Sequence, residues 1–168
     1  MADCLSLRQA LRVSVVVHYS LTLNNQLTDI AHLNESIESF SIRAGLNQRL
    51  SLQMKVVLDE IVGNIIKYGF TDNRNSSGKI NVEIAISSDT LILTVTDNAR
   101  FFNPLTQSRP DLSSNPENRE LGGLGIYIVG KIMDEMQYQR IDGKNVLTLS
   151  KSIPDESVSG DRPDSKTI

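Results

Sequence analysis

The sequence predicts a two-layer α/β sandwich, a mostly antiparallel sheet with its helices gathered on one face. Residues 80–86 and 91–97 alternate apolar and polar, the period of a half-buried strand. Residues 30–40 and 50–65 space their apolar side chains by threes and fours, the period of a helix with one buried face. The order of segments is strand, helix, helix, hairpin, long loop, helix, hairpin, which brings strands together as antiparallel neighbours. No internal repeat interrupts it.

Taken in order, residues 1–10 carry little pattern, and the β-branched run between Leu11 and Leu23 contains strand. His18 falls in that run with no Asp, Cys or second His at a useful spacing, and reads as a partly buried strand histidine rather than a ligand. Asn24-Asn25 breaks the strand, and Thr28 or Asn25 is the expected cap of the next helix. Ile30, Leu33, Ile37 and Phe40 form its inward stripe, His32 falls off it, and Gly45 ends it. Asn47 caps a long second helix, Gln48 to Tyr68, with Leu50, Met54, Leu58, Ile61 and Ile65 inward and Gly69 as its stop. After the polar residues 71–78, Ile80–Ile86 and Leu91–Asp97 pair as a hairpin. Period-two counting puts Asp97 on the same face as Leu91, Leu93 and Val95. An ionised carboxylate there requires donors or a cation.

Residues 103–121 contain three prolines and no periodicity, the mark of a binding loop or lid. Gly122-Gly123-Leu124-Gly125 opens an apolar helix through Met133, which Asp134–Met136 ends. A second hairpin, Gln137–Ile141 with Val146–Lys151, turns at Asp142-Gly143. Residues 152–168 hold four acidic and two basic residues and read as a disordered tail. The expected organisation is an N-terminal extension with a strand (1–19), one folded domain (20–151) and that tail.

Composition narrows the functions. A chain of 168 residues, 39% hydrophobic and 22% charged, suits one soluble core. Net charge is −3 and the isoelectric point about 5.4, without a basic tract, so a nucleic-acid footprint is not expected. No apolar run reaches the roughly 20 residues of a membrane span, and no signal peptide is recognisable. Cys4 is the single cysteine, which is compatible with a reducing cytoplasm.

Three stretches carry chemistry. On the second helix Glu60, Asn64 and Lys67 stand at i, i+4 and i+7, on one face. A carboxylate and a carboxamide one turn apart can bracket a hydrated divalent cation, or they can be an ordinary solvated face. A glycine cluster at a helix start exposes backbone N–H groups to an anion, or merely allows a tight turn. It is not the Walker signature, since no Gly-Lys-Ser or Gly-Lys-Thr follows. Asp97 at a strand end can accept from an exocyclic amine. Together these are the parts that an adenine nucleotide with Mg²⁺ requires.

In these motifs the chain resembles the GHKL superfamily of ATP-binding domains (the Bergerat-type fold), most closely the bacterial anti-sigma-factor serine kinases and their stand-alone relatives. The first motif matches Glu60, Asn64, Lys67, Tyr68 and Gly69. The resemblance implies Asn64 as the Mg²⁺ ligand and Glu60 as the catalytic base; where the family often has histidine this chain has Lys67, which is expected to reach phosphate instead. The second matches Asp97 through Pro104 and implies that Asp97 reads the adenine amino group, with Ala99 and Phe102 in the nucleotide site. Ala99 and Phe101 depart from the family's small residues; Ala99 in a left-handed backbone costs about 1–2 kcal/mol. The third matches Gly122, Gly123, Leu124 and Gly125 as a phosphate-binding box. Met133-Asp134-Glu135, Tyr138 and Arg140 complete the likeness. Thr148 corresponds either to a last-strand threonine near adenine or to a plain strand residue.

The resemblance implies a cytoplasmic ATP- and Mg²⁺-dependent serine-protein kinase that phosphorylates a small anti-anti-sigma partner, with a sigma factor as second partner and homodimers among its relatives. The lid would be Leu105–Leu121, with Arg119 near the phosphates. The departures at Ala99 and Phe101 motivate an alternative, a catalytically weak nucleotide-sensing module that sequesters a protein. A histidine-kinase catalytic domain fits less well, for want of a dimerisation helix pair.

Overall fold

A computed structural model describes residues 17–70, 78–87, 89–106 and 124–153. The order of elements is β1 (Val17–Asn24), α1 (Thr28–Arg43), α2 (Gln48–Asn64), β2 (Lys79–Ile86), β3 (Thr90–Asp97), α3 (Leu124–Ile132), β4 (Glu135–Ile141) and β5 (Lys144–Ser152). The five strands form one sheet in the order β1-β2-β3-β5-β4, antiparallel throughout. The predicted two-layer α/β class is the observed one.

Side-chain parity explains how the layers meet. Along β2, Ile80, Val82, Ile84 and Ile86 are buried, and along β3 Leu91, Leu93, Val95 and Asp97 are. These residues pack beneath Leu33, Ile37 and Phe40 of α1 and Met54, Val57, Leu58, Ile61 and Val62 of α2 in one continuous core. Burying each large aliphatic side chain contributes about 1.5–3 kcal/mol, so the helical layer cannot slide without losing several such contacts. Tyr19 of β1 tilts against Phe40, ring centroids 5.3 Å apart, which ties the sheet edge to α1. α2 touches both other helices and is the central beam of that layer.

Local chemistry sets the element ends. Asn47 caps α2 as expected, its side chain accepting from the Leu50 N–H at 2.8 Å. Gly45, at φ +64°, ends the turn after α1. The start of α1 differs from expectation. Its cap is Leu27, which has no side chain able to accept, and neither Thr28 nor Asn25 takes the role. Asp29 in the first turn instead accepts from the Asn24 N–H at 2.6 Å, joining the helix start to the end of β1. Ile30 is half-buried, and His18 is exposed rather than partly buried, since it alternates with the inward Tyr19.

The second helix does not run as α-helix to Tyr68. It ends at Asn64, and Ile65–Gly69 forms a wider π-turn. On the far side of the sheet chain, Asp142 (φ 47°) and Gly143 (φ +77°) both take left-handed backbone, the two-residue turn expected of Asp-Gly. β4 and β5 begin earlier than the pattern suggests, at Glu135 and Lys144, so Glu135 and Met136 belong to a strand rather than a helix end. Lys151 donates to the Ile132 carbonyl at 2.7 Å, closing the C-terminus of α3.

Candidate functional site

One cleft of about 360 Å³ opens where the C-terminal half of α2, the π-turn, the end of β3, the β4–β5 hairpin and the start of α3 converge. Its walls are apolar, with Ile61 and Ile65 facing Val95 and Leu147, and Ala99, Phe102, Pro104 and Ile126 around them. Such a slot accepts a flat ring. Polar side chains also line it, from α2, the π-turn, β3 and the β4–β5 hairpin.

At the end of β3 is Asp97, which lines the cleft and is only 4% exposed. Its Oδ1 accepts from the Ala99 N–H at 2.8 Å and from Asn145 Nδ2 at 2.8 Å. Among the described residues no hydrogen bond reaches its Oδ2. Burial pushes the carboxyl above the ordinary aspartate value, opposed by the Asn145 and Ala99 donors and by the charge of Arg140. An acceptor of this kind, half satisfied and aimed into an apolar slot, suits an amine on a heterocycle.

On α2 are Glu60 and Asn64, both half-buried and one turn apart. Gly125 of α3 meets Glu60 there. A Cβ placed on Gly125 would collide with the Glu60 carboxylate at Oε2 and lie 2.8 Å from its Cδ. Only glycine leaves room for that carboxylate against the first turn of α3, where unpaired N–H groups and the helix dipole favour negative charge. Lys67 and Arg100 also line the cleft, adding cationic groups at its rim.

The sequence-predicted residues Glu60, Asn64, Lys67, Asp97, Ala99, Phe102 and Gly125 thus surround one cavity. Leu124 opens α3 but is 49% exposed and does not line it. Thr148 lies on the opposite face of the sheet, because Asn145, Leu147 and Leu149 take the helix-facing parity of β5. Gly122, Gly123, Arg119 and residues 107–121 of the expected lid lie outside the described residues, as do residues 154–168.

Two departures from the family pattern, Ala99 and Phe101, are accommodated: neither takes a left-handed backbone, and Phe101 does not line the cleft. Ala99 is not left-handed, since Asp142 is the one positive-φ residue other than glycine among those described. It packs on Gly69 instead, where an added Cβ would sit 2.8 Å from the Ala99 Cβ. The Gly69 carbonyl accepts from the Arg100 N–H at 3.2 Å, so the two segments are held at this close approach. Phe101 points away from the cleft, 66% exposed and edge-on to Tyr138 with ring centroids 5.9 Å apart.

Asn145 is the site residue that sequence reasoning missed. Its signal was available: position 145 shares the parity of Leu147 and Leu149, so a polar side chain stands where a core residue is expected.

A match to the family described as histidine kinase-like ATPase domain spans residues 23–151. The chain belongs to that family. The histidine kinase-like ATPase assignment agrees with the GHKL resemblance and with the fold. Among similar proteins is the serine-protein kinase RsbW of Listeria monocytogenes, 27% identical over 127 residues, covering 73% of this chain and 79% of the relative. The serine/threonine-protein kinase BtrW of Bordetella bronchiseptica is 26% identical over 121 residues, covering 72% and 84%. A crystal structure of the RsbU and RsbW domains of Rv1364c from Mycobacterium tuberculosis superposes with a TM-score of 0.58 at 15% identity, covering 83% of this chain and 34% of that longer one. That likeness is one of fold.

The residues present fit an adenine nucleotide. Asp97 Oδ2, to which no described residue hydrogen-bonds, the apolar slot and the start of α3 at Gly125 each match one part of it. Among the described residues no cluster of three His, Cys, Asp or Glu could hold a metal ion. No described helix is long and apolar enough to cross a membrane.

Proposed function

We propose that this chain is an ATP-dependent serine-protein kinase of the anti-sigma regulator kind, acting on a small anti-anti-sigma-like protein. The observation that carries this reading is that Glu60, held against Gly125 of α3, lines one cleft together with Asn64 and Asp97. The base would lie between Ile61, Ile65, Val95 and Leu147, with its amine on Asp97. The phosphates would reach the α3 turn and Lys67. Mg²⁺, when bound, neutralises charge on the phosphates, and Asn64 is its protein ligand.

Glu60 would act as the base toward a partner's serine hydroxyl entering beside the terminal phosphate. The serine kinases named above support protein serine as acceptor, and a sigma factor as second partner, homodimers and a cytoplasmic location belong to the same proposal by resemblance. The catalytically weak module gains no support from Ala99 or Phe101, because neither is strained or obstructs the cleft.

The test is incubation with γ-labelled ATP, Mg²⁺ and the candidate partner. Label on a partner serine, lost in Glu60→Ala with nucleotide binding kept, supports the kinase. Tight ATP binding with no transfer by the native chain would leave only the nucleotide-sensing module.

A further inference from the structure

The β4–β5 hairpin holds a polar network, centred on a buried asparagine, that the phosphoryl-transfer reading does not use. Asn145, 5% exposed, sits directly across from Asp97 in the β3–β5 ladder and across from Arg140 in the β4–β5 ladder. Its Nδ2 donates to Asp97 Oδ1 at 2.8 Å and to the Arg100 carbonyl at 3.0 Å. Its Oδ1 accepts from Arg140 Nη1 at 2.6 Å and from the Tyr138 hydroxyl at 2.8 Å. Arg140 Nη1 also donates to the Ala99 carbonyl at 3.1 Å.

Every hydrogen-bonding position of the Asn145 amide is therefore filled. A guanidinium can only donate, and a carboxylate and a carbonyl only accept, so the partners dictate which way the amide faces. Turning it over would set its N–H groups against Arg140 and its oxygen against Asp97. Although Asn145 lines the cleft, it has nothing left to offer a ligand. What it does is hold the turn Asp97–Arg100 at three points: the Asp97 carboxylate directly, the Arg100 carbonyl directly, and the Ala99 carbonyl through Arg140.

We propose that Asn145 is a positioning residue that sets base specificity: anchored by Tyr138 and Arg140, it occupies Asp97 Oδ1 and leaves Oδ2 alone facing the cleft as an acceptor. This rests on the reading of the cleft as a nucleotide site. An acceptor fixed in that place favours a purine with an exocyclic amine over one with a carbonyl there, since two opposed acceptors repel and leave a buried group unpaired. Without Asn145 the carboxylate keeps one bond, from the Ala99 N–H, and can turn about it.

The experiment is calorimetric titration of the full chain with ATP–Mg²⁺ and with purine riboside triphosphate, which has hydrogen in place of the amine. Asn145→Leu, similar in size but unable to bond, is compared with the native chain after thermal melts. Loss of one charge-assisted hydrogen bond weakens ATP binding about tenfold, and the analogue by less than about twofold, so the preference for ATP falls about fivefold or more. Tyr138→Phe and Arg140→Gln, each removing one anchor, reduce the same preference about two- to threefold. Equal losses for both nucleotides would reduce Asn145 to a structural role and overturn the proposal while leaving the nucleotide site standing. Should Asn145→Leu fail to fold, an unchanged preference in both anchor variants overturns it. A native chain that binds neither nucleotide removes the nucleotide site itself, and the proposal with it.

Discussion

Gly125→Ala isolates the contact between the start of α3 and the Glu60 carboxylate, on which the proposed phosphoryl transfer rests. The new methyl collides with the end of the Glu60 side chain and with no backbone, so the fold has an inexpensive escape: Glu60 changes rotamer. That move costs about 0.5–1.5 kcal/mol. Alanine near a helix start recovers up to about 1 kcal/mol in propensity, and Gly125 does not have the positive φ that would forbid it. The two effects nearly cancel, and the melting temperature should move by no more than about 2–4 °C. Function is not protected in this way. Displacing a reacting carboxylate by about 1 Å costs on the order of a hundredfold in rate.

The assay is single-turnover phosphoryl transfer at saturating ATP, for Gly125→Ala alone and combined with Glu60→Ala. The single variant should lose about a hundredfold. The double variant should be no slower than Glu60→Ala, because the methyl then has no carboxylate to displace. A folded Gly125→Ala protein that transfers phosphate within about threefold of the native rate would refute the argument that this glycine exists to admit Glu60.

Three further outcomes follow from the geometry. Gly69→Ala should destabilise by about 1–3 kcal/mol in chemical denaturation, because two Cβ atoms cannot share a 2.8 Å separation; adding Ala99→Gly should recover most of the loss, and no recovery would show that the collision lies elsewhere. Asp97 has its folded-state pKa raised mainly by burial, so its contribution to stability is present below the ordinary value of 3.8 and is lost as pH rises through the higher folded value. Relative to Asp97→Asn, the native protein without nucleotide should therefore lose stability across that interval with rising pH, and the opposite slope in pH-dependent melts counts against a buried carboxylate. Asn47→Ala should cost about 1 kcal/mol, read as a fall in melting temperature of about 2–4 °C, since it removes the acceptor for the Leu50 N–H.

Much of this protein is legible in its residues, for reasons that differ from part to part. Leu91, Leu93, Val95 and Asp97 share a face because strand geometry has a period of two, and that arithmetic alone placed Asp97 in the core. Asn47 and Asp142-Gly143 are readable because each meets a local requirement, an acceptor in one case and left-handed backbone in the other. The same parity excludes Thr148 from the cleft and admits Asn145, yet strand pairing has to be known before either is tied to Asp97. The π-turn after Asn64 has no signature in Ile65–Gly69; it arises where the chain must bring Gly69 onto Ala99 while Ile65 still faces the slot. The bare cap of α1 escaped for a similar reason, since Asp29 serves β1 from within the first turn.

The tight reversal at Asp142 and Gly143 has a reach well beyond the edge of the sheet. Burial of Leu147 and Leu149 on the same parity holds Asn145 opposite Asp97, so a single residue added or removed between β4 and β5 would displace β4, and with it the Tyr138 and Arg140 anchors. Two left-handed residues at the rim thereby keep both anchors in step with Asn145, and insertion there should weaken the proposed base preference while leaving the core intact.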